Sequence, residues 1–338
     1  TQYQTLLQRL RELDTKAQLQ LADSRVVNAA LVPAQPSFPN RKLMFFVSVA
    51  FALVLGGAIA VLREHFVGGF TSEEQIEPVL RAKLATVIPK QAVDANLTTH
   101  SVADLVVTSP LSVFSESIRR IRVGVERLLF EKTAQATGQD RRECVVVLVS
   151  SSEPNEGKST VSLALSRTLA KSGKKTLLID CDFRKPSINS LLGVERSSWF
   201  ADLLQGTEAA QSVSKQTIAD PLSDLSVIVG DRVTDMATDD LVMGERFSQI
   251  ISAARRHFEY IVIDTPPVGP VVDALYLARH ADFIVFVVRW ASTSQTLVRK
   301  SLTALIENAP KGTPAMVAMN QKENTRNDSS YRYSGYSH

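Results

Sequence analysis

Apolar and polar positions alternate differently in three parts of the chain. In residues 1–30, apolar side chains recur every three or four positions, which predicts an amphipathic or coiled-coil helix. Residues 43–62 form a run of twenty residues without a charge. At about 1.5 Å per residue, such a helix spans the roughly 30 Å hydrocarbon core of a bilayer. We therefore predict a transmembrane helix at 41–64, preceded within residues 1–40 by a helical segment and a proline-rich connector.

The third part, residues 111–321, alternates short apolar runs with helical patterns. A helix is expected to start near Ser115. Strands that alternate with helices predict an α/β fold, with a doubly wound, mainly parallel sheet that binds ligands at the carboxyl ends of its strands. Six runs are predicted to be strands, at 145–149, 176–179, 226–229, 260–263, 283–288 and 315–319.

Polar segments flank this domain. Residues 65–110 are expected to be a juxtamembrane linker, with a short helix over 72–85, because they show little periodicity. Residues 322–338 are polar and turn-rich, and we expect them to be disordered. The chain begins without a methionine and within a helical pattern, so we expect that an earlier part of the protein is missing.

Charge and cysteine content argue against a nucleic-acid partner and against a cysteine metal site. With 38 Lys and Arg against 35 Asp and Glu among 338 residues, the net charge is +3, and no basic tract predicts a nucleic-acid partner. The two cysteines, Cys144 and Cys181, lie in or beside apolar runs and form no spaced metal pattern. We interpret both as packing residues in a reducing compartment.

The clearest chemical signal is the sequence SSEPNEGKST at 151–160, between the first predicted strand and a helix. It fits the P-loop pattern G-x-x-x-x-G-K-[ST], with serine in place of the first glycine. In such a loop, backbone N–H groups and the helix N-terminus converge on phosphate oxygens. We predict that Lys158 holds the β- and γ-phosphates of ATP and that Ser159 binds Mg²⁺. The predicted nucleotide-binding residues are Ser152, Glu153, Pro154, Asn155, Glu156, Gly157, Lys158, Ser159 and Thr160.

Charged residues at two other strand ends are predicted to complete the site. Asp180 and Asp182 follow the second predicted strand, and strand alternation would direct both into one cleft, with Arg184 two positions further on. Asp264 ends the fourth predicted strand, where a carboxylate of this fold typically reaches magnesium through water. Each carboxylate alone is a weak signal, but together with the P-loop they indicate an ATP and Mg²⁺ site.

Several motifs together resemble the bacterial tyrosine autokinases attached to chain-length regulators of exopolysaccharide synthesis. The family's D-x-D-x-R motif after an apolar run matches Asp180, Asp182 and Arg184, and its Walker B motif matches Asp264. The proline-rich connector and the membrane helix are also similar. The family's E-x-x-R-x-x-R motif matches Glu116, Arg119 and Arg122, and its tail cluster matches Tyr331, Tyr333 and Tyr336.

The resemblance implies a P-loop kinase anchored in the bacterial inner membrane, with its kinase domain in the cytoplasm and the residues before 41 in the periplasm. It implies transfer of the γ-phosphate of ATP, with Mg²⁺, to tail tyrosines of a neighbouring subunit. The subunits would form a ring through Glu116, Arg119 and Arg122. Further implied partners are the polysaccharide polymerisation and export machinery, which the kinase would regulate, and a tyrosine phosphatase.

The role of each carboxylate is open. We favour Asp180 as the base that accepts the phenol proton, with Asp182 and Asp264 serving the metal. Asp180 and Asp182 could exchange these roles. Lys158 and Arg184 complete the predicted catalytic set.

Other features separate this chain from neighbouring families. Septum-site and plasmid-partition ATPases carry an extra lysine where this chain has Glu153, and iron-carrying relatives need paired cysteines. The loop at 231–240 differs from the proline- and asparagine-rich loop usual in the autokinases. Asn320, after the last predicted strand, is a candidate for contact with adenine. Two alternatives to a kinase remain, a nucleotide-switched ATPase that drives assembly and a co-polymerase subunit that only binds nucleotide. For the motif at 116–122 the alternative is a solvated helix face.

Overall fold

The computed structural model describes residues 2–19, 38–66, 68–91, 101–135, 144–194, 199–205, 217–233 and 237–323. It divides into two compact units, Thr1–Leu62 and Arg63–His338. The helices are α1 (Gln2–Leu19), α2 (Arg41–Phe66), α3 (Ile76–Leu80), α4 (Leu105–Thr108), α5 (Val113–Gln135), α6 (Lys158–Lys171), α7 (Ile188–Leu192), α8 (Trp199–Gln205), α9 (Thr238–Met243), α10 (Glu245–Ala254), α11 (Asp273–Ala278) and α12 (Gln295–Asn308). The strands are β1 (Lys83–Pro89), β2 (Val145–Ser151), β3 (Thr176–Asp180), β4 (Ile218–Ala219), β5 (Ser226–Ile228), β6 (Tyr260–Asp264), β7 (Phe283–Arg289) and β8 (Ala315–Lys322).

The first unit contains α1 and most of α2. The amphipathic helix predicted at the start of the chain is confirmed over Gln2–Leu19, and its leucines Leu6, Leu10 and Leu13 are exposed. Helix α2 coincides with the predicted transmembrane helix. By length and composition it can cross a membrane, and none of its apolar stretch is buried within the structure. Residues 20–37, which contain most of the predicted connector, lie outside the described residues.

The second unit is built on one eight-stranded sheet in the order β1-β8-β7-β2-β6-β3-β5-β4. All neighbouring strands are parallel apart from β4 and β5, which are antiparallel. The six predicted strands are confirmed, each with ends that agree within three residues. The doubly wound α/β fold is therefore also confirmed, and the carboxyl ends of its parallel strands share one edge.

Helices cover both faces of the sheet. Val147 and Val149 of β2 point into a core shared with α5, α6 and α7, whereas Val146 and Leu148 point into the opposite core, shared with α10, α11 and α12. Because both faces are buried, the central strands are continuous apolar runs rather than alternating ones.

The linker expected over residues 65–110 is wrong in part, because residues 83–89 form the edge strand β1. This strand pairs in parallel with β8, and its buried Ile88 packs into the core that contains α5. The helix expected over 72–85 is a 3-10 turn followed by α3, which ends at Arg81 with a left-handed φ of 53°. Strand β1 gave a weak pattern because it begins with lysine and ends with proline, which is tolerated only at an edge.

A buried ion-pair network fixes the middle of α6 to two other segments. Arg167 is 1% exposed, and its Nε and Nη2 donate to the carboxylate of Asp220, beside β4, at 3.0 and 2.8 Å. Its Nη1 donates to Asp104 at 2.5 Å. Asp104 also accepts from the backbone N–H of Ser101, which closes the turn before α4. Because α6 begins at the P-loop, this network helps to hold the helix that carries the loop.

Arg167→Met is expected to lower the free energy of unfolding by about 3–5 kcal/mol, because it leaves Asp104 and Asp220 buried without a counter-charge. Urea unfolding of the detergent-solubilised chain measures this change. The control is Lys174→Met, which removes an exposed ion pair with Glu259 and should cost less than about 1 kcal/mol. Equal effects of the two substitutions would contradict this account of Arg167.

Candidate nucleotide-binding site

The predicted P-loop connects the end of β2 to the start of α6. Gly157 adopts a left-handed φ of 92°, and a Cβ atom there would lie 2.1 Å from Nδ2 of Asn320. Asn155 also has a positive φ, 65°. Residues 153–155 are exposed, and Ser152 is buried. The loop therefore needs glycine at position 157 both for its backbone conformation and for the close approach of β8.

The side chain of Glu156 holds this loop in place, a role that the sequence did not reveal. Its buried carboxylate accepts from the backbone N–H of Glu153 at 2.7 Å and of Arg289 at 3.1 Å, and from the hydroxyl of Thr293 at 2.5 Å. Burial raises the pKa of Glu156. The carboxylate thus ties the start of the P-loop to the end of β7 and the loop that follows it.

Asn320 lies at the end of β8, directly against the P-loop. Its Nδ2 donates to the carbonyl oxygen of Glu156 at 2.8 Å, and its Oδ1 accepts from the backbone N–H of Gln321. The predicted contact with adenine is not tested by this geometry. What Asn320 does in the structure is to support the loop that Gly157 belongs to.

Lys158 lies among carboxylates at the start of α6. Its Nζ donates to Asp182 at 2.8 Å, and the two side chains are 12% and 4% exposed. Burial alone would lower the pKa of Lys158, but Asp264, Asp182 and Asp180 together raise it. Lys158 is therefore a fully charged group whose present partner is a carboxylate, in the place where the P-loop pattern predicts phosphate.

Asp264 ends β6 and is fully buried. Its Oδ1 accepts from the hydroxyl of Ser162 at 2.9 Å, whereas its Oδ2 has no hydrogen-bond partner among the described residues. Burial raises the pKa of Asp264, and the hydroxyls of Ser159 and Ser162 and the charge of Lys158 oppose that shift. Ser162 lies one helical turn after Lys158, and this spacing of four could have indicated it from the sequence.

The residues fit a Mg²⁺ ion that is bound partly by water and phosphate. The unpaired Oδ2 of Asp264 is a buried oxygen that can accept from a metal-bound water, and Ser159 supplies a hydroxyl beside it. Among the described residues, no three Asp, Glu, His or Cys side chains are grouped to hold a metal by themselves. An ion here would thus depend on the nucleotide for further oxygen ligands.

Asp180, at the end of β3, faces Asp264 in the strand pairing. Its Oδ1 accepts from the backbone N–H of Asp182 at 3.1 Å, and its Oδ2 accepts from those of Ser187 and Ile188, both at 3.2 Å. Burial, with the nearby charge of Asp264, raises the pKa of Asp180 to about 8. The structure therefore brings the three predicted aspartates together, with both oxygens of Asp180 engaged by the backbone.

Arg184 points to a partner that the sequence did not indicate. Its Nε and Nη2 each donate at 3.3 Å to the buried carboxylate of Asp273, the first residue of α11. The hydroxyl of Thr238, the first residue of α9, donates to the same carboxylate at 2.5 Å. The chain leaves β3 at Asp180, so the two-residue alternation of a strand does not extend to Arg184.

The E-x-x-R-x-x-R motif lies on α5 with its charges paired along the helix. Arg119 donates through Nε to Glu116 at 3.0 Å and through Nη1 to the carbonyl oxygen of Pro110 at 2.6 Å. Nε of Arg122 lies 3.6 Å from Oε1 of Glu126. These contacts occur within one subunit, and the role in assembly stays a prediction. The tail tyrosines Tyr331, Tyr333 and Tyr336 lie outside the described residues.

Two family models match this chain. Residues 146–309 match a model described as an AAA domain. Residues 1–65 match one described as "G-rich domain on putative tyrosine kinase". The first match contains the P-loop and all three aspartates of the cluster, and the second contains α1 and nearly all of α2.

Curated relatives align with most of the chain. It is 27% identical over 327 residues to the succinoglycan biosynthesis transport protein ExoP of Rhizobium meliloti, which covers 89% of this chain and 40% of ExoP. It is also 27% identical over 316 residues to the tyrosine-protein kinase wzc of Salmonella typhimurium, covering 90% and 42%. The chain therefore spans about two fifths of the length of these relatives.

Solved structures share the fold of the second unit. The kinase domain of the Escherichia coli tyrosine kinase ETK aligns with a TM-score of 0.64 at 21% identity, covering 80% of this chain and 99% of that domain. The chimerical protein CapA2B2 aligns with a TM-score of 0.62 at 23% identity, covering 75% and 100%. At these identities the likeness shows the fold alone.

Lys158→Met should lower the affinity for ATP by at least about tenfold, because the charge that faces the phosphates is lost. Isothermal titration calorimetry with Mg²⁺ and ATP measures the affinity, and circular dichroism checks that the helices are intact. Lys171→Met, at the other end of the same helix, is the matched control and should bind ATP as the wild type does. Unchanged affinity in a folded Lys158→Met protein would show that phosphate binds elsewhere.

Proposed function

Because the chain belongs to the family of bacterial tyrosine autokinases of polysaccharide chain-length regulators, we propose that it is a membrane-anchored tyrosine kinase. The observation that supports the proposal most directly is the position of Lys158. This lysine opens the helix after the P-loop and lies among Asp180, Asp182 and Asp264. A cation that turns from carboxylate to phosphate would neutralise charge on the γ-phosphate during its transfer.

The proposed reaction transfers the γ-phosphoryl group of ATP to a tyrosine. The bond from the γ-phosphorus to the oxygen that bridges to the β-phosphate breaks, and a bond from the phenol oxygen to phosphorus forms. ADP leaves, and the phenol proton passes to a carboxylate. Lys158 holds the β- and γ-phosphates, with the backbone N–H groups of residues 152–160 around them. Ser159, Asp182 and, through water, Asp264 would hold Mg²⁺, which would neutralise charge on the phosphates.

Asp180 is the proposed base, and Asp182 is the alternative. The raised pKa of Asp180, about 8, suits a group that takes a proton near neutral pH. Its three bonds from backbone N–H groups favour instead a supporting role. Asp182 has one oxygen on Lys158 and the other on the backbone N–H of Lys185. Binding of nucleotide to Lys158 would free the first of these oxygens for the metal or for the phenol.

The proposed membrane arrangement follows from where ATP is found. Helix α2 anchors the chain in the inner membrane. The kinase domain in the cytoplasm comprises the predicted residues 111–321 together with β1, which belongs to the same sheet, and the residues before 41 lie in the periplasm. The phosphoacceptors are tail tyrosines of a neighbouring subunit, in a ring assembled through the α5 motif at 116–122. The ring would act on the polysaccharide polymerisation and export machinery, and a tyrosine phosphatase would reset it.

The test is to incubate the detergent-solubilised chain with ATP labelled at the γ-phosphate and to locate the label. A kinase places it on tyrosine, a nucleotide-switched ATPase releases it as phosphate, and a subunit that only binds nucleotide leaves it on ATP. We expect labelled tyrosine. We also expect a variant with Tyr331, Tyr333 and Tyr336 all replaced by Phe to lose at least about nine tenths of the label, because Tyr260 and Tyr276 are partly buried and Tyr3 lies before the membrane helix.

Tyr3→Phe, near the start of the chain and outside the proposed kinase domain, is the control for loss of a tyrosine and should label as the wild type does. Full labelling of the triple variant would remove the tail as acceptor. Release of all the label as phosphate by the wild type would replace the kinase with the ATPase.

A further inference from the structure

The carboxylate of Asp273 joins three segments at the edge of the proposed active site. Arg184 comes from the loop after β3, Asp273 from the segment after β6, and Thr238 from the start of α9. Strands β3 and β6 are neighbours, and their last residues, Asp180 and Asp264, are paired in register. The contact among these three residues therefore links the segments that follow the two strands on which Asp180 and Asp264 lie.

The burial of the two ion-pair partners is unequal. The side chain of Asp273 is fully buried, whereas that of Arg184 is 48% exposed. A buried carboxylate without a counter-charge is costly. Departure of Arg184 would leave Asp273 with the hydroxyl of Thr238 but without the cation that balances its charge. An exposed arginine usually samples many rotamers, but this one is tied down by a side-on contact of Nε and Nη2 with both carboxylate oxygens.

The edge of the Arg184 guanidinium that carries Nη1 can still bind a ligand. Nη1 of Arg184 donates to no atom of the described residues, although Nε and Nη2 are both engaged by Asp273. Arg184 lies in the turn that Asp182 closes, because Oδ1 of Asp182 accepts from the backbone N–H of Lys185 while its Oδ2 accepts from Lys158. A fixed arginine with free donors beside such a cluster is suited to bind phosphoryl oxygens.

From this geometry we infer that Asp273 and Thr238 are positioning residues, which hold Arg184 so that its free edge binds the phosphoryl group during transfer. The inference rests on the proposed function, because it takes the aspartate cluster to be the site of phosphoryl transfer. Thr238 orients the carboxylate of Asp273 through a hydrogen bond, and that carboxylate holds the guanidinium of Arg184. Neither of the two touches the phosphoryl group itself.

Thr238→Val and Thr238→Ser separate this role from simple packing. Valine removes the hydroxyl that orients Asp273 and keeps the volume, whereas serine keeps the hydroxyl. We expect Thr238→Val to bind ADP with Mg²⁺ as the wild type does, but to lose about tenfold of the extra affinity that aluminium fluoride adds to ADP. Aluminium fluoride with ADP imitates a phosphoryl group in transfer, and Thr238→Ser should retain its effect.

A kinetic readout on the full chain complements the binding measurement. Thr238→Val should lower kcat for tyrosine labelling by about tenfold, with an unchanged KM for ATP, because only the transfer step uses Arg184 in this way. Asp273→Asn should act in the same direction. Thr313→Val is the matched control, since it removes another buried threonine hydroxyl, one that donates to the carbonyl oxygen of Pro310.

The inference is overturned if Thr238→Val keeps the full effect of aluminium fluoride, or if it weakens ADP alone by the same factor as ADP with aluminium fluoride. It is also overturned if Thr313→Val gives the same loss, which would indicate general destabilisation. Failure of the proposed function is distinct. If the label of ATP is released as phosphate, the chain is not a kinase, but the aluminium fluoride measurement still tests the position of Arg184.

Discussion

Charge balance in a small buried volume governs the architecture of the site. Three aspartates, Asp180, Asp182 and Asp264, lie at or beside the ends of two neighbouring parallel strands, where little solvent reaches them. Carboxylates this close to one another cannot all remain charged without a cation. Lys158 supplies that cation in the structure, and burial with mutual repulsion leaves Asp180 with a raised pKa, about 8. A site so constructed favours a ligand that brings both phosphate for the lysine and a metal for the carboxylates.

The surrounding fold keeps these groups in position. Glu156 ties the P-loop to the end of β7, and Asn320 ties it to β8. These contacts hold the side of the loop that faces away from the aspartates, and Lys158 faces toward them. Arg167 holds the helix that follows the loop through two buried carboxylates. Because these contacts are hydrogen-bonded and are buried or partly buried, they hold the start of α6 in place, and Lys158 is the group on it that can change partner.

Local sequence patterns predicted much of this structure, because they depend on near neighbours in the chain. The six central strands, α2 and the P-loop each follow from periodicity or from a short motif. Strand β1 was missed because Ile88 and its neighbours form a sheet edge only through pairing with β8, which is distant in sequence. The contact of Arg184 with Asp273 could not be predicted from the sequence for a similar reason. Its partners Asp273 and Thr238 belong to separate segments that meet only in the folded chain.

The central claim is that Lys158 is shared between Asp182 and the phosphates of the nucleotide, and the affinity for ATP without magnesium tests it most directly. Isothermal titration calorimetry in EDTA would compare the wild type with Asp182→Asn. The account predicts that the variant binds ATP about tenfold more tightly, because Lys158 no longer has to leave a carboxylate and one negative charge fewer faces the phosphates, a difference of about 1.4 kcal/mol. Equal or weaker binding by the folded variant would contradict it.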